Sequence, residues 1–567
     1  LTNSNEQALQ VATQWLAALS SATDAQAFAS QFLSTGWLRD LMCFSWDFNS
    51  LAGREQIVQF LSAQSHPGGK PRFELAQTHN FELDSSILPV KFPVPGNPQL
   101  EGVSAAFTFA ITSPPAAARG FVQLLPDGEG GQWKAFTVMT NIQDLDGHEE
   151  PKEGIEGYFG TTWEEEHARK MAEIESDPTV LIVGAGQSGL MCAARFGRMG
   201  IRALVVEKTA RVGDVWRNRK TYPKFLPRDK IADFLEAYAI GEEVNVWVSS
   251  TVLPNPTYDE STGRWNVEID RAGNRARVRP KHIVFATGIG APKVPSWPGM
   301  GTFKGKIYHS DQHKGAAPFK GKRAVVVGAC NAAIDVSEDF VFKGASEVTM
   351  VQRSATCIFS YGTLEKFPLP GATLSLVEDM DLVNNAMPPA LLTELAKGGL
   401  PRFKELDRDL LDGLRQAGFK STWQLRPGGE EVAPIAFVYH VSCPVLDMGG
   451  AKLIVDGKIK IKQGVEVARV EPEGLVFADG SKLAADVIVL ATGYHPIMPR
   501  ITSIMGDGIQ NMIGNKVWGL DEGGELTNCY RPTGAPGIWV APGGFPQARF
   551  FSKHLAIQIK AEELGLK

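Results

Sequence analysis

The sequence is poor in cysteine, and its six cysteines (Cys43, Cys192, Cys330, Cys357, Cys443, Cys529) form no CxxC pair. That scarcity excludes a disulfide scaffold and a zinc ribbon; reduced thiols, a cytoplasmic setting and no bound metal are expected. No apolar run approaches the ~18 residues of a spanning helix, so no transmembrane segment is expected. Positive charge is not in excess either. The formal net charge of -6 gives no electrostatic reason to expect nucleic acid or an anionic membrane as partner. Low-complexity tracts are missing, and the residues from Leu1 onward show no signal-peptide pattern. What remains, 43% hydrophobic and 21% charged over 567 residues, is an ordinary globular composition long enough for about four units of ~150 residues.

The most informative stretch is Val180-Leu-Ile-Val-Gly184-Ala-Gly186-Gln187-Ser188-Gly189, followed by Leu204-Val-Val-Glu207. It joins a strand, a glycine turn, a helix and an acid. Gly184 permits the tight turn, Gly186 lets backbone amides approach a pyrophosphate, and Gly189 lets the helix pack closely on the strand. Glu207, about 20 residues further on, can accept hydrogen bonds from a ribose diol. A dinucleotide site is expected here.

A second strand and turn follow downstream in Arg323-Ala-Val-Val-Val-Gly328-Ala-Cys330-Asn331-Ala332-Ala333. Two glycines are replaced by Cys330 and Ala333, both small enough for close packing. The next strand ends in Arg353 and Ser354 instead of an acid. A guanidinium there suits a 2′-phosphate through charge-assisted bonds, so the pair reads as FAD first and NADPH second.

The first ~150 residues read as a separate α+β unit. Ala8, Val11, Ala12, Trp15, Leu16 and Leu19 fall on one helical face, and a second helix is expected from Arg54 to Ala63. Strands are expected at 102–111, 120–125 and 132–140, the last two joined by a turn at Asp127-Gly128. Asp40, Asp47 and His79 are its polar candidates. The charged segment from Trp163 is expected to be a linker helix with Glu165 and Arg169 paired at i,i+4.

Between the glycine turns lies Phe303-Lys-Gly305-Lys-Ile-Tyr-His309, which resembles the FxGxxxH signature of the class B flavin-dependent monooxygenases. Ala286-Thr287-Gly288 and Ala491-Thr492-Gly493 resemble that family's ATG linkers. The resemblance runs from about Pro178 to the C-terminus. It is nearest to fungal flavin-containing monooxygenases with an extra N-terminal domain, and looser to the plant indole-3-pyruvate monooxygenases. The N-terminal unit looks like the cone fold of nuclear-transport-factor-like and polyketide-cyclase-like domains, a surface for packing or for a homodimer.

The resemblance implies an α/β protein with two Rossmann-like domains behind the cone-like domain. The expected bounds are 1–150 for the cone, 151–177 for the linker helix, 178–318 for the first part of the FAD domain, 319–480 for the NADPH domain and 481–567 for the rest of the FAD domain. It implies an NADPH- and FAD-dependent monooxygenase acting on a small organic substrate at nitrogen, sulfur or a 2-keto acid carbon through a flavin hydroperoxide. Baeyer–Villiger oxygenation is the runner-up, disfavoured because His313 stands where that group's signature has an aromatic residue. A flavin-binding protein that no longer oxygenates is the alternative from another class.

By the same match the cofactor-binding set gains Lys208, Gly213, Trp216, Arg217, Val252 and Gly544, beside the residues of both turns and both linkers. His309 and Asn331 are the candidate catalytic residues, with positioning preferred to proton transfer for His309. The sequence departs from the family in two places. The segment that covers the flavin in relatives is missing after Arg219, and His440 to Gly449 does not reproduce a glycine- and tyrosine-rich stretch. An open active site, a changed reaction and misplaced exon boundaries all remain as readings of the first.

Overall fold

The computed structural model describes residues 2–65, 68–94, 97–128, 131–151, 160–217, 227–288, 290–367, 370–440 and 444–567. The opening helix Thr2–Ser20 buries the face expected of it, with Ala8, Val11, Ala12, Trp15, Leu16 and Leu19 all inside. It lies on a seven-stranded sheet whose long members are Asn97–Thr112, Pro115–Asp127 and Gln132–Leu145. The helix expected at 54–63 is Gly53–Ser62. Glycines shape this sheet: a Cβ on Gly102 would lie 2.4 Å from the Phe92 ring. A Cβ on Gly120 would lie 2.1 Å from the Phe107 ring, so only glycine lets that ring lie across the neighbouring strand.

The linker helix Trp163–Ser176 forms, but its charges pair differently from expectation. Glu165 closes a capping box with Thr162, and Arg169 instead binds Glu166 and Glu173. Capping satisfies two backbone donors that would otherwise have no partner in the helix, which outweighs a solvent-exposed ion pair.

Two parallel sheets follow. The first has five strands in the order Asn245–Trp247, Ala203–Val206, Val180–Val183, His282–Phe285, Ile538–Val540. The second runs Lys306–His309, Val487–Leu490, Arg323–Val327, Glu347–Gln352, Lys460–Gln463. Val180–Val183 and Val487–Leu490 are apolar throughout because both faces of each sheet are covered, one by helices such as Gln187–Arg198 and Asn331–Phe342 and the other by strands such as Arg264–Arg271 and Gly474–Phe477. The second domain is therefore larger than the expected 319–480. Lys306–His309 and Val487–Leu490, read as parts of the FAD domain, pair laterally into the second sheet.

Between Glu347–Gln352 and Lys460–Gln463 the second domain carries a helical insertion that includes Val377–Asn384, Arg408–Gln416 and Pro434–His440. Leu414 and Phe419 of the insertion pack under the second sheet, whereas Leu382 and Ala386 pack into the core shared by the N-terminal domain and the first sheet. Among the described residues no helix is long and apolar enough to cross a membrane, and no group of three metal-ligating side chains occurs.

Candidate active site: two dinucleotide turns and their linkers

The strand Val180–Val183 ends at Gly184, whose φ of +109° suits glycine. A Cβ there would sit 2.7 Å from the Ala286 carbonyl oxygen, and one on Gly189 would meet the Gly184 carbonyl oxygen at 2.0 Å. Gly186 differs from both. Nothing lies within 4 Å of its imagined Cβ, and it caps the helix Gln187–Arg198 without a side-chain bond. Open space at a helix N-terminus with free amides is a cradle for phosphate. Glu207 follows Ala203–Val206 and accepts from the Ala185 amide at 2.8 Å and from the Thr209 hydroxyl at 2.8 Å. Oε1 also accepts from the Thr209 amide at 2.9 Å, which leaves Oε2 with a lone pair for a ribose hydroxyl. Lys208 is the next residue, and Val252 ends the short strand Ser250–Val252.

Two buried polar atoms around this cradle have no partner among the described residues, Trp216 Nε1 and Thr287 Oγ1. Trp216 stacks at 6.5 Å on Phe545, the first residue of the C-terminal helix Phe545–Glu563, which Gly544 caps. The Gly543 carbonyl in turn accepts from Gln187 Nε2 at 3.2 Å and Ser188 Oγ at 3.4 Å. The first turn thus meets the C-terminal helix at Gly543, Trp216 packs on that helix, and the unpaired buried atoms of Trp216 and Thr287 call for a polar ligand. The residues present fit FAD. Gly213 has φ of +88° and lies against the Ala232 backbone. Arg217, expected along the cofactor, is tied to the Val212 carbonyl, Asp214, Asp233 and Glu236.

In the second turn Gly328 has φ of +131°, and a Cβ would lie 2.2 Å from the Ala491 carbonyl oxygen. Cys330 caps Asn331–Phe342 with no side-chain bond, and Ala332 and Ala333 follow in the first turn. Both ends of the Asn331 amide are committed to the backbone: Nδ2 donates to the Pro444 carbonyl at 3.0 Å, and Oδ1 accepts from the Leu446 amide at 3.2 Å. Arg353 and Ser354 follow Glu347–Gln352 and are exposed; Arg353 has no ion pair among the described residues, as suits a group awaiting an anion.

His309 ends the strand Lys306–His309 and is 3% exposed. Its Nε2 lies 3.0 Å from the Gly493 carbonyl oxygen, and its Nδ1 accepts from the Asp311 amide at 3.3 Å. Gly493 also accepts from the Lys293 amide at 2.9 Å, and Thr492 donates to the Lys293 carbonyl. His309 thus fixes the second ATG linker, while Ala286, Thr287 and Gly288 cross beside Gly184. His313 is buried between Asp339 at 3.0 Å and the Tyr308 hydroxyl at 2.9 Å. Lys293, Asp339 and Pro444 carried no signal in the sequence, because each meets its partner only through the fold.

The polar candidates of the N-terminal domain lie apart from these turns. Asp40 accepts from the Cys43 and Phe44 amides and the Thr140 hydroxyl, and burial pushes its carboxyl up to about 7. Asp47 holds Arg531 at 2.6 Å, and His79 is exposed. The flavin-covering segment expected to be missing after Arg219 lies outside the described residues, as do 441–443 of the second divergent stretch.

Two Rossmann sheets, each with its glycine turn and linked through ATG segments, define a dinucleotide-dependent oxidoreductase fold. Residues 218–405 match the flavin-binding monooxygenase-like family and residues 182–232 an NAD(P)-binding Rossmann-like domain. The chain is 30% identical over 355 residues to indole-3-pyruvate monooxygenase YUCCA1 of Oryza sativa subsp. japonica, which covers 58% of this chain and 80% of that protein. The probable indole-3-pyruvate monooxygenase YUCCA1 of Arabidopsis thaliana is 26% identical over 350 residues, 56% of this chain and 76% of that one. A cyclohexanone monooxygenase mutant from Rhodococcus sp. Phi1 shares the fold at a TM-score of 0.50 and 14% identity, covering 69% of this chain and 87% of that one. The chain belongs to the flavin-binding monooxygenase-like family. It is an FAD- and NADPH-dependent oxidoreductase of the monooxygenase class.

Proposed function

We propose that the protein oxygenates a small organic substrate at nitrogen, at sulfur or at a 2-keto acid carbon, and that a 2-keto acid is the first substrate to test. The observation that carries the cofactor reading is the pairing of an open cradle at Gly186 with the unpartnered Trp216 Nε1 and Thr287 Oγ1. The identity to the rice indole-3-pyruvate monooxygenase supports the substrate class. When bound, FAD supplies oxygen activation and NADPH the hydride that reduces it.

The protein's own work is binding, orientation and exclusion of water. Gly184, Gly186 and Gly189 receive the FAD pyrophosphate, with Gln187 and Ser188 tying that turn to Gly543. Glu207 takes the ribose, with Lys208 and Val252 on the adenosine side. Gly213 and Trp216 line the flavin side, and Gly544 presents a helix N-terminus that favours negative charge. Gly328, Cys330, Asn331 and Ala332 receive the NADPH pyrophosphate, and Arg353 with Ser354 takes the 2′-phosphate. His309 positions the linker at Gly493. The N-terminal domain is a cone-like fold that serves packing.

Mixing the yellow protein with NADPH under nitrogen should bleach the flavin. Admitting air with indole-3-pyruvate, an amine or a thioether should then give an oxygenated product from one of them, identified by mass spectrometry. Failure to bleach across a wide NADPH range would sink the reading.

A further inference from the structure

The helix Val377–Asn384 belongs by chain to the second domain, yet its charges are met by the other two. Asp379 is 4% exposed and accepts from Arg119 of the N-terminal domain at 2.7 Å, with Ser86 at 3.1 Å. Asp381 is 7% exposed and accepts a two-pronged contact from Arg549 of the C-terminal helix at 2.6 and 2.7 Å. One turn on, the Asn385 carbonyl accepts from Arg39, whose guanidinium also makes a two-pronged, buried pair with Glu525 at 2.7 and 2.8 Å. Leu382 and Ala386 pack into the same core as Phe48 and Phe551. Buried carboxylates are costly unless paired, and here each is paired with a guanidinium from a different domain.

We propose that the N-terminal domain is a clamp on the two nucleotide domains. Arg119 and Arg39 are positioning residues: they hold the insertion, and with it the NADPH domain, at a fixed orientation to the FAD domain. Hydride transfer between two bound dinucleotides depends on that orientation, and small misplacements are costly. The inference rests on the functional reading above only for its kinetic readout.

Arg119 also binds Asp84 of its own domain at 2.8 Å, so the test leaves that pair in place. It compares the full-length protein with Asp379→Ala, which removes only the contact between domains, and with the conservative Arg119→Lys. In the apoprotein, hydrogen exchange of the amides of 377–384 should accelerate in Asp379→Ala and stay near wild type in Arg119→Lys. In the holoprotein, Asp379→Ala should keep its FAD and bleach normally with dithionite, while bleaching by saturating NADPH slows roughly 10-fold or more. Arg119→Lys should keep most of the rate. Unchanged exchange at 377–384 in Asp379→Ala, an unchanged NADPH rate, or loss of FAD from it would each overturn the clamp. Wild-type protein that NADPH cannot bleach would defeat the functional reading instead, and the exchange result would still decide the clamp.

Discussion

His309 and Gly493 are 184 residues apart and meet at 3.0 Å, imidazole Nε2 to carbonyl oxygen, where the second sheet hands the chain back to the first. His309 is buried, Gly493 is exposed, and the same carbonyl also accepts from the Lys293 amide. Replacing His309 by Ala therefore removes the bond to Gly493, the bond from the Asp311 amide and the packing against Tyr494 without orphaning the carbonyl. The expected cost is about 2 kcal/mol in urea unfolding. NADPH turnover should fall while bound FAD persists. Full turnover in a destabilised variant would show that the linker needs no such tether.

Gly186 and Gly189 separate ligand space from packing space. Gly186→Val places a branched side chain in the open cradle at a φ of -81°, which any residue adopts. The variant should fold, melt like the wild-type apoprotein and remain colourless. Gly189→Ala drives its Cβ to 2.0 Å from a carbonyl oxygen and should not yield folded protein. Stoichiometric FAD in purified Gly186→Val would refute the cradle.

Arg353→Ala tests coenzyme choice. Because Arg353 is exposed and has no ion pair among the described residues, its loss should leave stability unchanged. Loss of a charge-assisted bond to the 2′-phosphate is worth roughly 1.5–3 kcal/mol, or about 10- to 150-fold in NADPH affinity, with NADH nearly unaffected. Equal losses for the two coenzymes would assign the phosphate to another group.

Two buried histidines give stability a pH dependence. Burial holds His554 down to about 3 and His282 to about 4, against 6.5 in the unfolded chain. Above 6.5 both states are neutral and the contribution is fully present. As pH falls below 6.5, the unfolded chain takes a proton that the folded protein refuses, so stability is lost. Asp40, pushed up to about 7, acts in the opposite direction between 7 and 3.8. A comparison of His554→Gln with wild type at each pH cancels the Asp40 effect. The variant should gain on the wild type by about 1.4 kcal/mol per unit between pH 6 and 4. A constant gap would mean that folded His554 accepts the proton.

Both glycine turns were legible because local backbone geometry demands their residues: a positive φ at Gly184 and Gly328 and close approach at Gly189. The face of the opening helix was legible for the same local reason, a period of 3.6. The contacts of Asn331 and Arg217 were not. Asn331 meets Pro444 across 113 residues, and Arg217 meets Glu236 on a neighbouring helix. The strand Lys306–His309 was misplaced because lateral pairing in a parallel sheet leaves no mark on neighbouring sequence.

The sequence by itself determined the order of the dinucleotide units, the acid at Glu207 and the guanidinium at Arg353, since these follow from spacing along one chain. Tertiary structure decided which domain each linking strand joins, and it decided that the helix Val377–Asn384 is held from both sides, by Arg119 and by Arg549. The division has a physical cause. Turns and helix faces are set by backbone sterics and period over a few residues. A buried carboxylate is satisfied by whatever cation the fold brings within hydrogen-bond reach, and chain separation places no limit on that.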